Sequence, residues 1–89
     1  MKYTIEYDEK VIKELKKIDK YQREILLKWI KKNLANTKEP REKGKSLKGN
    51  LGEYWRYRVG NYRIITSIDD ERILITVISI GHSKDIYRF

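Results

Sequence analysis

Apolar side chains recur at a spacing of two in several parts of this chain, which is the periodicity of a β-strand. Tyr3, Ile5 and Tyr7 alternate with polar neighbours and predict a first strand. A nearly continuous apolar run later in the chain is rich in β-branched residues: Ile73, Leu74, Ile75, Val77, Ile78 and Ile80. Such a run is typical of a strand buried on both faces, so we expect it to be central in the sheet.

Helical spacing follows the first strand. Asp8 is a candidate N-cap for a first helix, and Asp19, with Gln22 three residues later, is a candidate start for a second. The apolar positions expected to face inward are Val11, Ile12, Leu15 and Ile18 in the first helix and Tyr21, Ile25, Leu26, Trp29, Ile30 and Leu34 in the second. Two short helices in succession predict an antiparallel hairpin that covers one face of a sheet.

Residues 54–63 predict a tight β-hairpin with Gly60-Asn61 as a two-residue turn. Alternation places Trp55, Tyr57 and Val59 on one face and Tyr54, Arg56 and Arg58 on the other. A two-residue loop also sets Arg58 directly opposite Arg63. Two guanidinium groups in this position repel by about one kcal/mol or less, and a bound anion would reverse that cost. We therefore predict a phosphate site on the arginine face of the hairpin.

The segment between the helices and the hairpin, residues 36–52, breaks the periodic pattern. Its basic residues are Lys38, Arg41, Lys43, Lys45 and Lys48. We expect Leu47 and Leu51 to anchor this basic loop to the core. Its lysines either contact a nucleic-acid backbone or form a solvated loop face, and the sequence leaves both interpretations open.

Charge and composition exclude several classes of protein. The 89 residues predict a single domain over 1–89, and 21 Lys and Arg against 13 Asp and Glu give a net charge of +8. That charge favours a polyanionic partner, although a soluble and robust Lys- and Glu-rich protein would share it. The chain has no cysteine and one histidine, so we expect neither a metal site nor a cofactor, and Asp69-Asp70-Glu71 predicts a solvated turn. No apolar segment suggests a leader or a membrane span, so we expect a cytoplasmic protein.

Three motifs in order are similar to one known family. They are Gly44-x-x-Leu47-x-Gly49-x-Leu51, then Trp55-Arg56-Tyr57-Arg58-Val59-Gly60-Asn61-Tyr62-Arg63-Ile64, then Ile78-Ser79-Ile80-Gly81-His82-x-x-x-Ile86-Tyr87. With them the chain resembles the RelE/ParE superfamily of toxins from type II toxin-antitoxin systems, in its RelE-like branch. The resemblance implies an α+β fold in β-α-α-β-β-β order, in which about four antiparallel strands pack against the helical hairpin, as in small microbial ribonucleases.

The resemblance also implies an activity and partners. RelE-like members are metal-independent endoribonucleases that cleave message in the ribosomal A site and inhibit translation, and an acidic, RelB-like antitoxin neutralises them. ParE-like members instead inhibit DNA gyrase and lack the nuclease. A simple RNA- or DNA-binding module is a third interpretation.

Carried over residue by residue, the family's pattern assigns roles in catalysis. Arg56 and Arg58 match its two basic positions on the first strand of the hairpin, Arg63 matches its transition-state arginine, and Tyr87 matches its C-terminal tyrosine. His82 lies where many members have His or Lys. Ser83 departs from the pattern, because RelE-like members usually carry an arginine there.

These residues suit scission by the 2′-hydroxyl of RNA. Arginines would stabilise the charge on phosphorus, and His82 or Tyr87 could transfer protons. A histidine after a buried strand is also often only packed, and a C-terminal tyrosine often only covers apolar surface. The residues expected to contact RNA or the ribosome are Lys28, Lys31, Lys32, Lys45, Lys48, Tyr54 and Lys84.

Overall fold

Two helices and five strands form the parts of the chain that the computed structural model describes, residues 2–47 and 54–84. In chain order they are β1 (Thr4–Tyr7), α1 (Glu9–Lys16), α2 (Lys20–Asn33), β2 (Lys45–Ser46), β3 (Tyr54–Val59), β4 (Tyr62–Asp69) and β5 (Leu74–His82). The predicted α+β class and the β-α-α-β-β-β order are therefore confirmed, with one further short strand, β2. None of the described helices is long and apolar enough to cross a membrane.

The strands form one sheet in the order β1-β5-β4-β3-β2. Strand β1 pairs with β5 in parallel, and the other neighbours are antiparallel. The sheet differs from the expected antiparallel sheet of about four strands in two details: it is mixed, and it has five strands. Strand β5 is an interior strand, as its apolar run predicts, but the middle strand is β4.

The helices pack on one face of the sheet through a common core. Its fully buried side chains are Val11, Leu26, Ile30, Leu34, Tyr57, Ile64, Ile75, Val77 and Ile80. Asp8 caps α1 as predicted, because its side chain accepts a hydrogen bond from the backbone N–H of Lys10 at 3.0 Å. Asp19 occupies the N-cap position of α2 but makes no such hydrogen bond.

Three apolar residues predicted to face inward lie largely outside the core. Ile12 is 48% exposed, Tyr21 69% and Ile25 37%. Successive helical residues are rotated by about 100°, so a helix that buries Val11 turns Ile12 to its side. Tyr21 and Ile25, four residues apart, form a second stripe beside the buried Leu26 and Ile30.

Side-chain contacts fasten the basic loop to the sheet. The buried Tyr57 hydroxyl donates a hydrogen bond to the carbonyl oxygen of Pro40. Asp70 accepts one from the Tyr3 hydroxyl at 2.7 Å and forms an ion pair with Arg41 at 2.9 Å. The hydrogen bond from Arg41 is the main cause that holds the pKa of Asp70 below its ordinary value, and the one from Tyr3 lowers it further. The acidic turn between β4 and β5 thus holds the loop. In the described part of the chain no three His, Cys, Asp or Glu side chains are grouped so as to hold a metal ion.

Glu14 of α1 bridges to the part of β5 that β1 does not cover. The pairing of β1 with β5 ends at Val77. Beyond it, the Glu14 carboxylate accepts hydrogen bonds from the backbone N–H of Ile80 at 3.0 Å and from the Ser79 hydroxyl at 3.3 Å. A side chain thereby satisfies a strand edge that would otherwise need a neighbouring strand.

Removing this carboxylate will destabilise the fold. We expect Glu14→Ala to lower the free energy of unfolding by about 1–3 kcal/mol, since it leaves the Ile80 N–H without its acceptor. Glu14→Gln keeps an oxygen acceptor and will lose less. Urea denaturation measures both, with Glu24→Ala at an exposed position of α2 as the control. An equal loss for Glu14→Ala and Glu24→Ala would contradict this role.

Tyr57 will make stability fall at high pH. Burial raises its pKa to about 12, whereas tyrosine in an unfolded chain ionises at about pH 10. The contribution of the Tyr57 hydroxyl to stability is therefore complete below pH 10 and is lost progressively between pH 10 and 12. We expect the wild-type protein to lose more unfolding free energy across this window than Tyr57→Phe, as measured by urea denaturation at each pH. Parallel losses in the two proteins would refute the assignment.

Candidate functional site

The β3–β4 hairpin has the register that its sequence predicts. Val59 pairs with Tyr62, and Gly60-Asn61 forms the connecting turn. Gly60 has φ of +60°, which an L side chain rarely adopts, so the glycine at the first turn position suits this hairpin. As a consequence Arg58 lies directly opposite Arg63.

The structure brings three arginines together on the face of the sheet away from the helices. Arg56 and Arg58 alternate with the buried Tyr57 and therefore share this arginine face with Arg63. The Nε and Nη1 atoms of Arg63 are shielded from solvent. Burial is the main cause that lowers the pKa of Arg63, and the charges of Arg56 and Arg58 lower it further. The hairpin thus holds positive charge at one point of the sheet, where an anion would be attracted.

Other predicted residues surround the three arginines. Lys45 in β2 pairs with Arg56 and extends the row of cations by one strand. Tyr54, half buried, packs on the same face against Leu47 and Ile65. This small apolar cluster therefore lies beside the arginines on the same face, and Leu47 anchors the loop as predicted.

His82 lies on the opposite face of the sheet from the arginines. It pairs with Tyr62, and the two rings meet edge to face with centroids 5.6 Å apart, while Tyr62 packs against the core under the helices. The cause is a β-bulge: Ile65 pairs with Ser79 but Thr66 pairs with Val77, so Ile78 is an extra residue. One extra residue reverses the side to which the following side chains point. Simple alternation from Ile78 would instead have placed His82 with the arginines.

The strand end places Ser83 beside the hairpin turn. Its backbone N–H donates a hydrogen bond to the carbonyl oxygen of Asn61 at 2.9 Å. The Nδ1 atom of His82 accepts a hydrogen bond from the N–H of Lys84 at 3.3 Å, and the Lys84 side chain is exposed. Lys48, Leu51 and Tyr87 lie outside the described residues.

The predicted lysines of α2 all point outward. Lys28, Lys31 and Lys32 are exposed. Lys28 and Lys32 line a shallow cavity with Ile25, Trp29 and Asn33. These lysines are not part of the arginine cluster, so any contact that they make would be with a more distant part of a ligand.

A cleft at the outer edge of β3 joins predicted site residues to residues that the sequence did not assign to a site. It has a volume of about 460 Å³ and is lined by Trp29, Lys43, Gly44, Lys45, Arg56, Tyr57 and Arg58. Sequence patterns did not reveal it, because it depends on how the basic loop folds back against β3. The one local sign of this cleft in the sequence is Gly44 between Lys43 and Lys45.

Comparison with known proteins gives this site a context. A family model described as the ParE toxin of the type II toxin-antitoxin system parDE matches residues 5–87. The chain belongs to the RelE/ParE superfamily of type II toxins. The RelE/ParE resemblance identified from the three sequence motifs is thus confirmed.

The chain is similar to several named toxins. The mRNA interferase toxin RelE of Escherichia coli is 34% identical over 83 residues, which span 91% of this chain and 83% of that protein. Toxin RelG of Mycobacterium tuberculosis is 36% identical over 52 residues, 58% of this chain and 60% of RelG. The E. coli RelBE toxin-antitoxin complex contains a chain with a TM-score of 0.73 and 28% identity, and the match covers 91% of this chain and 96% of that one.

The toxin's cleft depends on Gly44, because the chain passes very close to β3 at this point. Gly44 has φ of +80°, and a Cβ added to it would meet the carbonyl oxygen of Arg56, with Nε1 of Trp55 and Cδ1 of Tyr57 each at 2.9 Å. The indole N–H of Trp55 donates a hydrogen bond to the Lys43 carbonyl at 2.7 Å. The backbone of the two flanking lysines is therefore fixed by this hydrogen bond and by close packing against β3.

Two glycine substitutions will separate crowding from backbone strain. We expect Gly44→Ala to lower the free energy of unfolding by at least about 2 kcal/mol, because strain and a backbone clash add together. Gly60→Ala has a similar positive φ with nothing within 4 Å, so it will cost about 1 kcal/mol. Urea denaturation measures both variants, and equal losses would show that Gly44 is not crowded.

Proposed function

We propose that this toxin is an mRNA interferase that cleaves message in the ribosomal A site, without a metal, and so inhibits translation. The observation that carries the proposal is the position of Arg58 opposite Arg63, with Arg56 on the same face and the pKa of Arg63 lowered by burial and by these two neighbours. Folding alone gains nothing from three cations held together. An RNA phosphodiester supplies the negative charge that makes the arrangement favourable.

The arginines suit the charge that develops during RNA scission. The 2′-oxygen of one nucleotide forms a bond to its own 3′-phosphorus, the bond from phosphorus to the 5′-oxygen breaks, and a 2′,3′-cyclic phosphate results. The phosphorane between these states carries more negative charge than the substrate. Arg63 with Arg56 and Arg58 would stabilise it, and a donor of this kind in a dry site contributes about 3–4 kcal/mol.

Two proton transfers complete the reaction. The 2′-hydroxyl loses a proton, and the 5′-oxygen gains one. His82 faces away from the arginines and hydrogen-bonds to the Lys84 backbone, so the geometry does not favour it for either step. We assign one of the transfers to Tyr87 on the family resemblance.

An antitoxin completes the proposed system. The E. coli structure similar to this chain is a complex of a toxin with its antitoxin RelB. The net charge of +8 would attract an acidic partner over a long range. We propose that an acidic, RelB-like antitoxin binds and neutralises this toxin.

Cleavage by purified protein tests the activity. With programmed ribosomes, we expect ends mapped in the message to carry 2′,3′-cyclic phosphate, and 1,10-phenanthroline, which leaves ribosomal Mg²⁺ in place, to have no effect. Arg63→Gln will lower the cleavage rate by about 10²- to 10³-fold, because it removes one donor to the phosphorane. Arg72→Gln, which removes an exposed arginine at the other end of the sheet, will cleave normally.

Inhibition of DNA gyrase is the competing function. The match to a model named for ParE and the serine at position 83 favour it. Intact message on ribosomes together with loss of gyrase supercoiling would establish it in place of the nuclease.

A further inference from the structure

The cleft at the outer edge of β3 adjoins the arginine cluster and shares Arg56 and Arg58 with it. Strand β2 covers β3 only at Trp55 and Arg56, so the edge from Tyr57 to Val59 has no strand beside it in the described part of the chain. Trp29 from α2 and the Lys43–Lys45 segment form the walls of this opening. The cleft is thus open at the edge of the sheet, where an extended chain could enter.

Its lining combines positive charge with aromatic rings. Lys43, Lys45, Arg56 and Arg58 supply four cations, and none of the described residues that line it is acidic. Trp29 is half buried, and its ring lies 5.5 Å from that of Tyr57 at an angle of 53°. A basic groove combined with an aromatic ring is the pattern by which proteins hold unpaired nucleic acid.

The cleft is also preformed. Gly44 permits the close approach of the loop to β3, and the Trp55 indole holds the Lys43 carbonyl. Both lysines therefore project from a backbone fixed by contacts of the folded chain. This backbone loses little freedom when a ligand binds, and only the exposed lysine side chains have to be ordered.

We propose that this cleft binds a nucleotide of single-stranded RNA next to the phosphate on the arginine face, with its base stacked on Trp29 and its phosphate between Lys43 and Lys45. The proposal rests on the proposed nuclease function. Arg56 and Arg58 belong to both sites, so the two phosphates would be neighbours along one strand. Trp29 also lines the cavity that Lys28 and Lys32 border.

Binding of a non-cleavable RNA tests the cleft without ribosomes. The probe is a short, fluorescently labelled 2′-O-methyl RNA, whose affinity for the purified toxin is measured by anisotropy over a range of salt concentrations. We expect Lys43→Gln/Lys45→Gln to weaken binding about tenfold and to reduce the salt slope by about 0.7, because one phosphate loses its contacts. Lys13→Gln/Lys16→Gln removes the same charge from exposed positions of α1, which packs over β5, and will change the affinity less than about twofold.

Trp29 variants test the stacking. We expect Trp29→Leu to weaken binding about tenfold and Trp29→Phe, which keeps a ring, to weaken it much less. A probe with abasic positions will bind the wild type and Trp29→Leu alike. Circular dichroism checks that both variants fold. If Trp29→Leu does not fold, the lysine variants still test the cleft.

The outcomes separate this site from the proposed nuclease. Equal affinities of the Lys43/Lys45 and Lys13/Lys16 variants, or no binding of the probe at all, would refute the cleft even if Arg63→Gln abolishes cleavage. If the cleft variants lose RNA binding but the wild-type protein leaves ribosomal message intact, the nuclease proposal is refuted and the cleft proposal is retained. Binding of poly-glutamate but not RNA, with the same dependence on Lys43 and Lys45, would show a site for an acidic protein and overturn the proposal.

Discussion

The register of the β3–β4 hairpin is the constraint on which this molecule depends. A two-residue turn sets Val59 opposite Tyr62 and hence Arg58 opposite Arg63. The arginines cannot relax by a shift of one residue, because that shift would turn Tyr57 and Ile64 out of the core. The energy of burying these side chains therefore holds the like charges together, and a bound anion would offset their repulsion.

Local signals predicted the hairpin, because its turn and its alternation both lie within ten consecutive residues. Asp8 was likewise recognisable as a cap from its immediate neighbours. The outward position of Tyr21 and Ile25 was not, since it depends on which stripe of α2 meets the sheet. Strand β2 has two residues and no periodicity, so nothing in the sequence distinguishes it from a loop.

The candidate site was predictable to the same extent. The arginines follow from the hairpin, but the face of His82 depends on a bulge at Ile78 that is set by pairing with β4. Trp29 was interpreted only as a core residue, because its spacing in α2 fits the inward stripe. Its exposed side becomes visible only when the basic loop is placed against β3. The functional residues of one hairpin could thus be predicted from the sequence, whereas sites formed by two distant segments could not.

The contact between Glu14 and the end of β5 bears on self-association. An uncovered strand edge offers hydrogen-bonding groups to any extended chain, including another copy of the same protein. Here a carboxylate from α1 already occupies the Ile80 N–H, and a negative charge in that position also repels an approaching carbonyl oxygen. Beyond the end of β1, strand β5 can therefore do without a further neighbouring strand, and a single side chain protects the backbone that β1 leaves uncovered.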